Sequence, residues 1–177
     1  MPADLTPLIA ATAQWLTRAY PSDGGALASA LSEAQARQAV TVAAWLRYPT
    51  EMDAALVAVA GPGGSTRLDG ITGREPTETE TDIAGHAWRT WVDEVVASWA
   101  ACLLSAPLLA RAAVNALAGG SHTVGSPVEF RRLLTPDEGD QRAAVLLRHP
   151  DLTAPIAELH HAQLLALLTP GTRSVPD

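Results

Sequence analysis

The sequence predicts an all-α protein, an irregular bundle of about six to eight helices with one long loop rich in glycine and acidic residues. Three observations favour this class. Apolar residues recur at steps of three and four along several segments, residues that start or end helices bound these segments, and neither a sequence repeat nor a sustained heptad pattern runs through the chain. We expect one domain over residues 1–168, followed by a disordered tail over 169–177.

The first two helices are predicted from the residues at their ends. Thr6 is expected to cap the first helix with Pro7 at its first helical position, and the segment 21–25, which contains proline and glycine, should end it. The segment 32–35, Ser-Glu-Ala-Gln, has the pattern of a capping box. We therefore expect the second helix to begin at this segment and to run to about Tyr48.

The third segment is compatible with a helix or a strand. Thr50 is a suitable N-cap, and Glu51 and Asp53 would lie in the first turn, where the helix dipole favours acidic side chains. The run 54–60 is rich in valine and alanine, so it could also pair with residues 66–71 as a β-hairpin. The cap, and the glycine and proline that follow, favour a helix.

The loop Gly61–Asp82 contains five glycines and a run of acids. A phosphate-binding loop would need a lysine after its glycines, whereas this loop has none, Pro62 lacks a backbone donor, and the acids would repel phosphate. A solvated connector is the simplest interpretation. Because loops longer than about 12–15 residues are uncommon unless they are functional or disordered, an arm that binds a partner or a lid over a pocket stays open.

The longest periodic stretch runs from Ile83 to about Leu104 and is predicted to be a helix with one aromatic face. Residues on that face recur at steps of three and four: Trp88, Trp91, Val95, Trp99 and Cys102. The indoles of Trp88, Trp91 and Trp99 would fill gaps between alanine-rich helices in the core. They are also candidates for a ligand pocket or for an interface with a partner. Cys102 is expected to be a small buried residue.

Proline and glycine also divide the last third of the chain. The segment 105–107 should break the helix, and a second piece, 108–117, should end at a pair of glycines. Ser126 and Thr135 each precede a proline and are expected to cap short helices. The last helix is predicted to run from Thr153 to Leu168.

Acidic residues and histidines form two pairs with the spacing of metal ligands. Asp82 and His86 are four residues apart, and Glu158 and His161 are three apart, as in carboxylate-bridged metal sites of helical bundles. Such a site needs the second spacing twice, whereas this chain has it once. We therefore expect no cofactor, and these four residues are only weak candidates for one shared ion.

Charge excludes some classes of function. The formal net charge is −7, all 12 basic residues are arginine, and no basic stripe is present, so a nucleic-acid surface is not expected. Arg131, Arg132, Arg142 and Arg148 alternate with acids and should form ion pairs. No apolar run is long enough to span a membrane, the N-terminus lacks the basic region of a signal peptide, and a cytoplasmic location in a bacterium is expected.

Two hypotheses for function follow. The first is a non-catalytic helical protein that acts by association, either with itself or as a subunit of a larger complex, because apolar residues surround several helices. The second is a small helical enzyme or ligand carrier with a hydrophobic pocket lined by Trp88, Trp91 and Trp99. In that case the loop Gly61–Asp82 would be a lid, and His86 or Glu158 would act as an acid, a base or a metal ligand.

Overall fold

The computed structural model describes residues 5–60, 93–124, 130–145, 147 and 150–169. Over these residues the chain forms an all-helical bundle without strands, which confirms the predicted fold class. Within the described ranges, no helix combines the length and the hydropathy that a membrane-spanning segment needs. The eight helices of the described residues are α1 (Thr6–Ala19), α2 (Gly25–Arg47), α3 (Glu51–Ala60), α4 (Glu94–Ser105), α5 (Pro107–Ala116), α6 (Arg131–Leu134), α7 (Glu138–Ala144) and α8 (Pro150–Leu168).

Helix α2 is the centre of the bundle. It packs against α1, α4, α5, α6 and α7, and α8 covers α4 from another side. Small residues let these neighbours approach closely, since Ala36, Ala39 and Ala43 of α2 are fully buried, as is Ala100 of α4. Trp99 of α4 is the largest side chain in this core and is 1% exposed.

The predicted start of α2 was wrong, although its predicted end was correct. The helix begins at Gly25, so Ser32 lies inside it and the expected capping box does not form. Ser32 is buried, and its hydroxyl donates a hydrogen bond to the carbonyl oxygen of Ala143 in α7 at 2.8 Å. The polar pattern of residues 32–35 therefore serves contacts between helices, and Gln35 is buried as well.

Helix α1 begins one residue earlier than predicted. Thr6 is its first helical residue and Leu5 occupies the N-cap position, so Pro7 lies one position further along than expected. The helix ends at Ala19, two residues before Pro21, where the predicted boundary begins. This shift changes no packing face, because Leu8 and Leu16 are buried against the core as their spacing indicates.

The structures of α3 and α4 test two further predictions, the choice between helix and strand at 54–60 and the start of the aromatic helix. Residues 54–60 are helical, which confirms the helix over the hairpin. Helix α4 begins at Glu94, and Asp93 is its N-cap in an extended conformation, so one uninterrupted helix through Asp93 was wrong. The carboxylate of Asp93 accepts hydrogen bonds from the backbone N–H groups of Val95 and Val96 and stabilises the start of α4. The remainder of the predicted helix, 83–92, and the loop Gly61–Asp82 lie outside the described residues.

The helices of the last third lie near the predicted proline and glycine boundaries, with shifts of one to three residues. The break before α5 and the end of α8 at Leu168 are as expected, although α8 begins at Pro150, three residues early. Asp137, not Thr135, caps α7, because its side chain accepts from Asp140 N–H while the Asp140 side chain accepts from Asp137 N–H. The predicted cap at Ser126 and residues 170–177 of the predicted tail lie outside the described residues.

Candidate functional site

Helix α3 carries apolar side chains on two opposite faces. Ala54 and Val57 join the main core and are buried. On the other side Met52 is 81% exposed, Leu56 is 53% exposed and Val59 is 76% exposed. Ala55 lies between them and is also exposed. We refer to these four exposed residues as the α3 face.

The α3 face is a continuous stripe. At about 100° of rotation per residue, its four side chains fall within an arc of about 100° directly opposite the buried pair. Other exposed large apolar residues, such as Leu27 and Leu108, have no second exposed large apolar residue three or four positions away on their helix. Those of α8, Leu159, Leu165 and Leu167, point in different directions around its axis. Among the residues whose side-chain exposure the structure describes, the α3 face is therefore the one exposed apolar stripe with helical spacing.

The N-terminus of α3 is fixed by a local cap. The hydroxyl of Thr50 accepts a hydrogen bond from Asp53 N–H, and the carboxylate of Asp53 accepts from both the hydroxyl and the N–H of Thr50. This reciprocal arrangement satisfies backbone donors that a helix start otherwise leaves free. The predicted cap is confirmed.

The corner between α2 and α3 is held by the turn that follows α5. His122 Nε2 lies 2.7 Å from the carbonyl oxygen of Tyr48, and Ser121 donates its hydroxyl to the carbonyl oxygen of Pro49 at 3.0 Å. The imidazole of His122 also stacks on the indole of Trp45, with ring centroids 5.5 Å apart. Gly119 allows this turn, because its φ of 84° is the left-handed conformation that glycine adopts without strain.

A buried pair ties the same corner to α4. The hydroxyl of Tyr48 donates to Asp93 Oδ2 at 2.5 Å, and both residues are buried. Burial, together with the charge of Asp93 and the hydrogen bond to it, raises the pKa of Tyr48 well above its ordinary value of about 10. We call Tyr48, Asp93, Ser121 and His122 the corner clamp. The clamp therefore holds the chain just before the first residue of α3.

The structure describes one of the three tryptophans proposed for a pocket or interface. Trp99 is buried in the core among α2, α4 and their neighbours. This is one of the two positions that its spacing predicted, the core and not an exposed face. Cys102 is buried as expected, and burial raises the pKa of its thiol to about 11. Trp88 and Trp91 lie outside the described residues.

The structure describes two of the four metal-ligand candidates. Glu158 and His161 are exposed on α8, while Asp82 and His86 lie outside the described residues. Within the described part of the chain, no three acidic, histidine or cysteine side chains are grouped so that they could hold an ion. Glu158 and His161 therefore lack a third described ligand.

A small cavity of about 170 Å³ lies beside the corner clamp. Trp45, Pro49, Leu117, His122 and Leu167 are among the residues that line it. Cavities that bind drug-sized molecules measure about 300–1,000 Å³, so this one has room for little more than a single ring or a branched side chain. It separates the ends of α5 and α8 from the corner and has no evident chemical role.

A second, more polar cavity of about 450 Å³ lies among α2, α6 and α7. Its walls include Arg131, Arg132, Asp137 and Asp140. Arg132 pairs with Asp140 at 2.6 Å, as the charge pattern predicts, and Asp140 also completes the cap of α7. Two arginines and two acids balance in charge, and the carboxylates of both acids take part in the cap of α7. The pair of Arg132 with Asp140 is therefore explained as part of a structural ion-pair network.

Three comparisons with known proteins were made for the whole chain. No family model, no curated protein and no solved structure matches this chain. The sequence pattern of α3 contained a signal for the α3 face, because eight of its ten residues are apolar and a helix buried on one side leaves some of them outside. The corner clamp had no such signal, since its members are separated by up to 74 residues.

Proposed function

We propose that this protein is a non-catalytic assembly protein that associates through the α3 face. The observation that carries the proposal is the exposure of Met52, Leu56 and Val59 along one stripe of a helix whose opposite side is buried. Single exposed apolar residues are ordinary on protein surfaces, whereas a rigid stripe of them is typical of an interaction site. Association removes this surface from water at a gain of about 25 cal/mol per Å².

The way α3 is held also supports the proposal. Its cap and the corner clamp fix the helix before any partner arrives, so little conformational entropy would be lost on binding. The acids Glu51 and Asp53 lie at the N-terminal end of α3 and not within the stripe. Interfaces of this kind combine an apolar centre with charges at the rim.

The proposal is tested by the oligomeric state of the purified protein and of two matched variants. Light scattering after size-exclusion chromatography, over a range of concentrations, should give the wild type a mass above that of a single chain. Leu56→Glu should return the mass to that of one chain, because a charge in the centre of an apolar interface is costly to bury. A stoichiometric partner that co-purifies with the wild type should likewise be lost from this variant.

Leu108→Glu is the control. Leu108 is 80% exposed on α5, so this variant adds the same charge to the same residue type at a comparable surface position. It should associate as the wild type does. A wild type that is strictly monomeric at every concentration and carries no partner contradicts the proposal, as does equal association of all three proteins.

A further inference from the structure

The hollow of about 450 Å³ among α2, α6 and α7, which we call the polar cavity, has the size of a small-molecule site. Such sites measure about 300–1,000 Å³. The six described residues that line it are all polar or charged: Gln38, Arg131, Arg132, Thr135, Asp137 and Asp140. These walls favour a ligand that is itself charged, because an apolar ligand would leave their polar groups without hydrogen bonds.

One ion pair of the polar cavity is complete within the protein. Asp140 is 1% exposed, and both of its carboxylate oxygens are occupied. Oδ1 accepts from Arg132 Nη1 at 2.6 Å, and Oδ2 accepts from the backbone N–H of Asp137 at 3.2 Å. Because the charges of Arg132 and Asp140 cancel, the charge that a ligand would meet is set by the other residues of the cavity.

Arg131 and Asp137 are the two remaining charged residues of the polar cavity, and they form no ion pair with each other. The guanidinium of Arg131 has no side-chain partner among the described residues. Asp137 Oδ1 accepts from the N–H of Asp140, which leaves Oδ2 without a described partner. One cation and one anion therefore line the same cavity and are both available to a ligand.

Gln38 adds hydrogen-bond donors whose direction is fixed. Its Oε1 accepts from the backbone N–H of Leu133 at 2.9 Å, so a backbone group of α6 sets the orientation of the amide. The Nε2 group then offers two N–H donors that have no partner among the described residues. Gln38 is half-buried on the central helix α2, so this amide is held by the core of the bundle.

We infer that the polar cavity binds a free amino acid, whose carboxylate pairs with Arg131 and Gln38 and whose ammonium group pairs with Asp137. A zwitterion satisfies both unpaired charges at once, whereas a simple anion would be repelled by Asp137 and a simple amine by Arg131. Guanidinium groups bind carboxylates through two parallel hydrogen bonds, which favours a carboxylate at Arg131. This site goes beyond the proposed function, since no residue of α3 lines the polar cavity.

An NMR titration of the isotope-labelled, full-length protein tests the inference with defined probes. Glycine, β-alanine and γ-aminobutyrate carry the same two charges at increasing separation, while acetate and methylamine carry one charge each. At least one of the three amino acids should shift the resonances of the polar cavity, with a dissociation constant on the order of 1 mM or below. Acetate and methylamine should bind roughly tenfold more weakly, because each leaves one charged residue without a partner.

Three variants remove the inferred contacts one at a time. Arg131→Gln removes the guanidinium, and Asp137→Asn removes the charge but keeps an oxygen that can cap α7. Gln38→Glu keeps the acceptor for Leu133 N–H and removes the amide donors. Each should weaken binding of the best amino acid by roughly tenfold, since each contact is a hydrogen bond to a charged group.

Arg111→Gln is the matched control for Arg131→Gln. Arg111 is exposed on α5 and is not among the residues that line the polar cavity. This variant removes the same charge from the protein, so it should bind the amino acid as the wild type does. Retained binding in this control, together with weakened binding in the three variants of the cavity, supports the inference.

The other outcomes overturn the inference. No shift with any of the three amino acids does so, as does binding that survives Arg131→Gln or that Arg111→Gln weakens equally. If acetate binds as tightly as the best amino acid, the ligand is a simple anion and the zwitterion is wrong. Asp137 is also a helix cap, so Arg131→Gln and Gln38→Glu decide the question if Asp137→Asn unfolds. None of these results bears on association through the α3 face, which Leu56→Glu tests separately.

Discussion

Helices α2 and α3 are consecutive in the chain, yet they differ in the kinds of side chain that they expose to solvent. Helix α2 includes polar residues such as Ser32 and Gln35 and buries them, whereas α3 is apolar at eight of its ten positions and exposes Met52, Leu56 and Val59. The difference comes from their neighbours, because five helices surround α2 while the core reaches α3 on one side only. Amino-acid composition therefore does not determine burial, and an apolar helix with one covered side has a second side free for association.

Among the substitutions considered, one at the junction between these helices should change the stability of the protein most. Asp93→Ala removes the cap of α4 and leaves the buried hydroxyl of Tyr48 without its acceptor. We expect the free energy of unfolding to fall by about 2–4 kcal/mol, measured by urea denaturation. The corner clamp would be loosened by the same change, so association through the α3 face should also weaken.

Two controls isolate the role of Asp93. Tyr48→Phe removes the same hydrogen bond but leaves the cap of α4 intact, so its effect should be smaller. Asp53→Ala removes an exposed cap of α3 and should cost about 1 kcal/mol or less. If Asp93→Ala costs no more than Asp53→Ala, the clamp does not stabilise the corner between α2 and α3.

The contrast between the helices is tested directly by one substitution made in both. Val40→Ala in α2 removes two methyl groups from a fully buried site and should lower the free energy of unfolding by about 2 kcal/mol. Val59→Ala on the α3 face should change it by less than about 0.5 kcal/mol at concentrations where the protein is monomeric. Equal losses in chemical denaturation would show that the α3 face is covered within the single chain.

The smallest expected change in stability comes from substitutions of Ser32. They distinguish a position inside a helix from an N-cap position. Inside α2, Ser32→Gly should destabilise the protein by about 1 kcal/mol more than Ser32→Ala, because glycine is the weaker helix former. At an N-cap the order would reverse, since alanine is the poorer replacement there. Thermal or urea unfolding of the two variants measures this difference, and the reversed order would restore the capping box that the sequence suggests.

Part of the candidate site could be predicted from sequence. The cap formed by Thr50 and Asp53 depends on residues three apart, so local rules found it and placed α3 correctly. The same rules failed at Ser32, because its hydroxyl bonds to Ala143, 111 residues away. A serine followed three residues later by glutamine has the same local pattern at a cap and at a contact between helices, and only the partner distinguishes them.

The corner clamp shows the same limit. His122 and Ser121 reach the corner from more than 70 residues away, and no spacing in the sequence connects them to Tyr48 or Pro49. The metal-ligand spacing of Glu158 and His161 was visible in the sequence, yet both side chains are exposed on α8. Sequence spacing predicts which residues share a helix face, but it does not predict whether that face contacts another helix or solvent.

The sequence by itself determined the all-helical class, the residues where several helices end and the fact that α3 is apolar at most of its positions. These properties depend on backbone preferences and on residues within one or two turns of each other. Only the tertiary structure decided that α2 is central, that Ser32 and Trp99 are buried, and that Met52, Leu56 and Val59 are exposed. Exposure depends on which distant segments pack against a helix, and that packing is set by the whole chain together.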